Sequence, residues 1–320
     1  MRTAVCGACP EYSPSMARNF RFGVQCMSFG DPEAVIATAK ACVEHGYDEF
    51  YTADHLGHPD PFAPLLVAAM TAPELRVGPL VVNNAFHNPA LLARSAATID
   101  RLTGGRFVMG LGTGYAQSEH DAIGIPLPRP RDRVVQFEES IVALRGLLDS
   151  GSATVQGELR SIDVEDLGVQ PVQERVPFLI GGNGRRVVGI AGRHADIFQF
   201  TGLTHGPDGT PGPGGFALSE LIQRREWLEA SAGDRIDDIE CSALVQRLSV
   251  GEDTADDAAE VAERWGQSAQ ELADCPFALF GSVEQLVDKL ERLRETLGIS
   301  HYVVRDAEGF APVVAALSEH

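Results

Sequence analysis

Asp54 and His55 stand side by side in "YDEFYTADH", where a short run of β-forming residues ends. A carboxylate beside an imidazole can hold and move a proton, and the imidazole titrates near neutral pH. The bland alternative is a helix-capping Asp54 with a solvated His55. Three other stretches bear on the choice. Asn83 and Asn84 in "PLVVNNAFHNP" offer paired amides that could bond the edge of a heterocycle, or simply make a turn. "GLGTGY" (110–115) has glycines that let the backbone approach a flat ligand, with Gly114 followed by the hydroxyl of Tyr115. "IGGNGRR" (180–186) places Gly181, Gly182, Asn183 and Gly184 before a helix, with Arg185 and Arg186 behind them. Free backbone N–H groups there make an anion site; the alternative is a plain glycine turn.

The elements that must carry these residues alternate. Strands are expected at 21–26, 48–53, 76–82, 106–112, 177–180, 196–200, 239–250 and 300–306. Helices are expected at 31–46, 62–72, 88–105, 129–151, about 184–194, 218–232, across 254–274, at 282–297 and at 310–319. The first helix opens on an N-cap Asp31 with Pro32 behind it and stops at Gly46. Residues 152–176 read as a hairpin excursion, 203–217 as a Gly- and Pro-rich loop, and "GLGTGYAQSEHDAIGIP" carries no convincing helix. Eight strands alternating with helices predict a parallel (β/α)8 TIM barrel, with a doubly wound open sheet as runner-up. The first strand lacks the glycine-rich loop that a dinucleotide-binding unit needs. In such a barrel the strand ends form the mouth, so Asp54, His55, Asn83, Gly114 and the 181–184 turn converge there.

Composition excludes other classes. The chain has 320 residues and a formal charge of −19, which repels nucleic-acid backbones. No run of about 18 apolar residues is present, and the N-terminus lacks a signal-peptide core, so a cytoplasmic location away from membranes is expected. The six cysteines show no disulfide framework. Cys6 and Cys9 form one C-x-x-C in an extension (1–19) with no second ligand pair nearby, so no metal site is expected. Arg129, Arg131 and Arg133 could add to a basic rim or lie on a solvated helix face.

The chain resembles the luciferase-like monooxygenase superfamily, and within it the flavin- and deazaflavin-dependent (coenzyme F420) oxidoreductases. The resemblance lies in "TADH" (52–55), "NPALLARSAATIDRLTGGRFVMGLGTG" (88–114), "PFLIGGNGRRVVGIAGRHADIFQF" (177–200) and "LFGSVEQLVDKLERLRETLGISHYVV" (279–304), and it covers about residues 20–318. It implies a single barrel domain (20–320) with an insertion near 203–217 acting as a lid. It also implies a ring at the mouth, with Asp54 against the polar edge, His55 near the hydride-carrying carbon, and Asn83 in contact. Gly114 and Ser118 line the tail, Gly181, Gly182 and Gly184 bind the phosphate, and Arg185 lies near the anionic tail. A non-prolyl cis peptide near Leu80–Val81 is implied as well, and relatives are often homodimers. In the family's sugar-phosphate dehydrogenases a glutamate follows the Gly-x-Gly turn; here that position is Tyr115, and Glu119 comes a turn later.

The implied reaction is hydride transfer from reduced F420 to an activated C=C, C=N or C=O of a small molecule, with Asp54 orienting His55 or the ring, and His55 or Tyr115 supplying the proton. Alternatives are an FMN-dependent monooxygenase using oxygen, a barrel hydrolase or aldolase without redox cofactor, and a cofactor-binding protein without turnover.

Overall fold

The computed structural model describes residues 18–27, 30–202, 204–205, 211–212 and 214–318. Its centre is a ring of parallel strands. In chain order they are Arg21–Cys26, Glu49–Thr52, Arg76–Pro79 continued by Val82–Asn83, Met109–Gly112, Phe178–Gly181, Ile197–Phe200, Glu240–Leu244 and Ile299–Val304. The first strand pairs with the second and the eighth, and pairing runs on through the seventh, sixth, fifth and fourth. Val82–Asn83 pairs with the fourth strand, and a lone parallel bridge joins Val77 to Phe107, so the ring closes. This is the expected (β/α)8 barrel.

The expected strand 76–82 is broken in two by a cis peptide at Leu80–Val81. The break leaves the Leu80 carbonyl to accept from Gln25 Nε2 at 2.5 Å. The expected strand 239–250 also divides. Leu244 ends its barrel part, and Arg247–Val250 pairs with Ala278–Gly281 in a separate parallel ribbon. The turn follows from the backbone, since the N–H groups of Gln246 and Arg247 both donate to the Phe277 carbonyl.

Eleven α-helices are described: α1 (Pro32–Glu44), α2 (Ala63–Thr71), α3 (Pro89–Leu102), α4 (Gln117–Ile123), α5 (Pro130–Ser150), α6 (Arg185–His194), α7 (Leu218–Ala232), α8 (Ala255–Trp265), α9 (Ala269–Asp274), α10 (Val283–Leu297) and α11 (Ala307–Ser318). Asp31 caps α1 by accepting from Ala34 N at 2.9 Å. The expected helix 254–274 is two helices, because Gly266 takes a left-handed conformation and Ser268 opens α9 with a capping box. The 152–176 excursion contains the expected hairpin, Ala153–Gln156 against Ser161–Val164.

The "LTGGR" stretch has a local explanation. Gly104 and Gly105 both adopt positive φ and turn the chain out of α3. Arg106 then reaches back to the carbonyls of Ala69, Leu75 and Thr103, so one guanidinium collects acceptors around the end of α2. Apolar side chains fill the layer between strands and helices. A second cluster of Tyr51, Leu80, Val108, Leu179, Ile197 and Val303 fills the barrel. At the amino-terminal end of the strands, fully buried Glu49 accepts from Tyr51 Oη at 2.5 Å and pairs with His301 at 2.8 Å and Arg21 at 3.3 Å. Arg21 also pairs with Glu240 at 2.8 Å. Burial alone would raise the Glu49 pKa, but His301 and Arg21 outweigh it and hold the carboxyl well below the usual range.

Of the 203–217 insertion, Thr204–His205 and Pro211–Gly212 are described, paired antiparallel. Most of the rest, together with Cys6 and Cys9, lies outside the described residues. Among the described residues no helix is long and apolar enough to cross a membrane.

Candidate active site

A cavity of about 460 Å³ opens at the carboxyl ends of the strands. Asp54, His55, Asn83, Gly114, Tyr115, Gly181, Gly182, Asn183 and Gly184 all line it. These residues lie far apart in sequence, and the barrel alone gathers them.

Two imidazole–carboxylate pairs sit at the mouth, and neither is Asp54 with His55. Asp54 is almost buried; its Oδ2 accepts from Asn83 N at 2.9 Å and from His87 Nε2 at 2.8 Å. Its Oδ1 has no partner among the described residues. His55 instead donates from Nδ1 to Glu119 Oε1 at 2.8 Å, and Glu119 Oε2 accepts from Leu56 N at 3.3 Å. Giving up Nδ1 makes Nε2 the acceptor of a neutral ring. The Tyr115 hydroxyl lies 3.4 Å from that Nε2, a long contact of the kind that catalytic pairs often shorten around substrate. Burial first, then the Glu119 carboxylate, pushes the Tyr115 phenol above its ordinary pKa, and Arg305 partly opposes this. The expected orientation of His55 by Asp54 is therefore replaced by Glu119. Glu119 reaches the ring because "AQSEHDAI" does form a helix, α4, two turns long and stopped by left-handed Gly124. The expectation of no helix there is corrected; so short and polar a segment carries almost no apolar periodicity.

Asn83 is held from two sides. Its Oδ1 accepts from Ala85 N at 3.1 Å, and its Nδ2 points to His120 Nε2 at 3.4 Å. His120 is fully buried and donates from Nδ1 to the Ile125 carbonyl at 3.0 Å, so its Nε2 is free to accept. Gly114 lies against this amide with φ +80°; a Cβ there would fall 2.0 Å from Asn83 Oδ1. The glycine is required both by its backbone and by its neighbour.

On the other wall, a Cβ at Gly182 would meet Val187 at 2.4 Å, while one at Gly184 would meet nothing within 4 Å. Gly184 is the N-cap of α6, whose first-turn N–H groups have no intrahelical acceptor. Thr201 Oγ1 donates to Asn183 Oδ1 at 2.5 Å. Gln199 is almost fully buried beside this wall, and its Nε2 has no hydrogen-bond partner among the described residues.

Two expected residues lie elsewhere. Ser118 is exposed on α4, outside the cavity lining. Arg185 is exposed and lines a separate cavity of about 290 Å³ with Arg186, Arg193 and Trp227. Of the 129–133 trio, Arg129 pairs with Asp132 at 2.8 Å, while Arg133 lines the main cavity. Sequence reasoning missed Glu119's role, His87, Gln25, Gln199, Gln246 and Arg305, all of which line the cavity or bond to residues that do.

Fold and site together define a (β/α)8 barrel with a paired acid–imidazole mouth and a glycine-walled cavity. Residues 16–213 match the family model described as luciferase-like monooxygenase, and the chain belongs to that family. It is 30% identical over 176 residues to a 5,10-methylenetetrahydromethanopterin reductase of Methanolobus tindarius, covering 55% of this chain and 52% of the relative. It is 32% identical over 203 residues to an F420-dependent glucose-6-phosphate dehydrogenase of Kineococcus radiotolerans, covering 59% and 56%. The matched stretch thus spans about half the length of these relatives. Among solved structures, a coenzyme F420 dependent tetrahydromethanopterin reductase from Methanopyrus kandleri superposes with a TM-score of 0.73 at 19% identity, covering 93% of this chain and 97% of that one. A riboflavin lyase with modified FMN superposes at 0.76 with 14% identity, covering 94% and 92%. At such identities the superpositions speak for the fold.

Proposed function

We propose that this protein is an F420-dependent oxidoreductase that reduces an activated C=C, C=N or C=O bond of a small molecule. The observation that carries the reading is the Glu119–His55–Tyr115 line, which delivers a proton donor into a cavity whose other wall is glycine. The names of the relatives and of one solved structure point the same way.

The residues present fit a deazaflavin. Asp54 and the fixed Asn83 amide line the cavity as a polar edge, and Gln199 Nε2 is a buried donor without an acceptor among the described residues. The backbone of Gly112–Gly114 gives close approach, and Gly181–Gly184 with the first turn of α6 suits a phosphate. Arg133, whose pKa burial depresses, adds positive charge for an anionic tail. When bound, the deazaflavin supplies the hydride. The chain's own residues supply the rest: Glu119 fixes the His55 tautomer, and the proton that completes reduction is held by the Tyr115 hydroxyl or, when the ring is charged, by His55 Nε2. A cytoplasmic location, a homodimeric assembly, no nucleic-acid partner and a lid formed by 203–217 belong to the same proposal.

Fluorescence titration of the purified protein with F420 and, separately, FMN tests it. Micromolar or tighter binding of F420 over FMN is expected. Preference for FMN with oxygen consumed during turnover would replace this reading with flavin monooxygenation, and binding of neither would overturn it.

A further inference from the structure

Arg305 follows the eighth strand and lines the cavity on the side of Tyr115, close enough for each charge to affect the other. Its guanidinium is held at two points by neutral amides. Nε donates to Gln25 Oε1 at 3.0 Å, and Nη1 donates to Gln246 Oε1 at 3.0 Å. Gln25 is itself buried and fixed, because its Nε2 is spent on the Leu80 carbonyl. Three of the five N–H donors of Arg305, on Nη1 and Nη2, have no partner among the described residues.

Like Arg133 on the same cavity, Arg305 carries a charge that no carboxylate among the described residues matches. Arg21, Arg129, Arg145, Arg175, Arg193 and Arg225 each face a carboxylate. Arg305 faces none among the described residues. Its sequence neighbour Asp306 caps α11 by accepting from Gly309 N at 2.9 Å. The cavity's own carboxylates are already matched, Asp54 to His87 and Glu119 to His55. Arg247 adds a second exposed positive charge nearby. A guanidinium oriented by two glutamine oxygens keeps its full charge for a ligand while losing little side-chain freedom on binding.

We propose that Arg305 reads a carboxylate on the substrate, so that the molecule reduced here is a small organic acid whose activated double bond is placed beside His55 and Tyr115. The planar fork left on Nη1 and Nη2 matches the two oxygens of a carboxylate. Charge neutralisation at the mouth then fixes which end of the substrate faces the proton donor. The proposal rests on the reductase reading for the fate of the substrate, but not for its binding.

The test is binding of benzoate and its neutral isostere benzamide, followed by ligand-observed NMR, with and without F420. Benzoate is expected to bind more tightly than benzamide, and Arg305→Gln to weaken benzoate about tenfold while leaving benzamide unchanged. Arg305→Lys, which keeps the charge but not the fork, should recover only part of the loss. Unchanged F420 affinity and circular dichroism in both variants show that the fold and cofactor bed survive. Equal binding of the two probes, a benzoate affinity indifferent to Arg305→Gln, or tighter binding of phenyl phosphate than of benzoate would overturn the proposal. Failure of F420 to bind the wild-type protein would instead sink the reductase reading and leave the benzoate comparison standing.

Discussion

His55 Nδ1 and Glu119 Oε1 meet at 2.8 Å across 64 residues of sequence, one from the end of the second strand and the other from α4. The pair assigns each mouth carboxylate a separate imidazole, since Asp54 is taken by His87. One couple thus lies beside the Tyr115 hydroxyl and the other holds the Asn83 backbone.

Glu119→Gln should therefore lower kcat by about 10²-fold with little change in KM, because the tautomer of His55 is no longer enforced. Asp54→Asn should act differently and weaken cofactor binding first. Steady-state kinetics beside a cofactor titration separates them; equal loss of both parameters in both variants would contradict this division.

Tyr115 holds its proton beyond the ordinary tyrosine range, because burial and then Glu119 disfavour the phenolate. If Tyr115 is the donor, activity requires the protonated phenol, so the alkaline fall in rate should come above the ordinary tyrosine value of about 10. Tyr115→Phe should remove that limb and lower kcat by roughly 10²-fold. A pH–rate profile unchanged in shape would assign the proton to His55 alone.

Gly114→Ala asks a non-glycine residue to adopt φ +80° with its Cβ on Asn83 Oδ1. The expected cost is about 1–3 kcal/mol of stability, and displacement of Asn83 should weaken cofactor binding further. Thermal melts and titration of the variant give both numbers. Gly184→Ala, with nothing near its Cβ, should leave the melt unchanged.

Lys289 is buried, with Nζ donating to the carbonyls of Ala278 at 2.7 Å and Leu272 at 3.3 Å. Burial lowers its pKa to about 8 from 10.5. Between those values the unfolded chain binds the extra proton, so stability rises with pH across that window; below about 8 the charged lysine burdens the fold in full. Lys289→Met should flatten this rise in Tm between pH 8 and 10. An equally steep rise in the variant would show that another group is responsible.

Much of this fold was legible. The apolar runs at 21–26, 196–200 and 300–306 are barrel strands, and Asp31, Pro32 and Gly46 bound the first helix closely. The strand ends carried Asp54, His55 and Asn83 to the mouth as the alternation implied. The cis peptide implied near Leu80–Val81 is there. Other features could not be read. Glu119 lies on a seven-residue polar helix, and its partner is set by how α4 packs rather than by spacing. His87 meets Asp54 from just after the short 3-10 turn Asn84–Phe86, a contact that no sequence spacing announces. Arg305 follows a strand as an exposed cation, and two distant glutamines, unremarkable in sequence, aim it.

The packed interior of the barrel has a kinetic consequence. Tyr51, Leu80, Val108, Leu179, Ile197 and Val303 fill it, and the Glu49–His301–Arg21 cluster closes the far end. The cavity therefore has a packed floor at the strand ends, so whatever arrives first lies beneath whatever arrives second. Turnover should follow a compulsory order, with the cofactor first in and last out. An excess of substrate should then trap the cofactor in place.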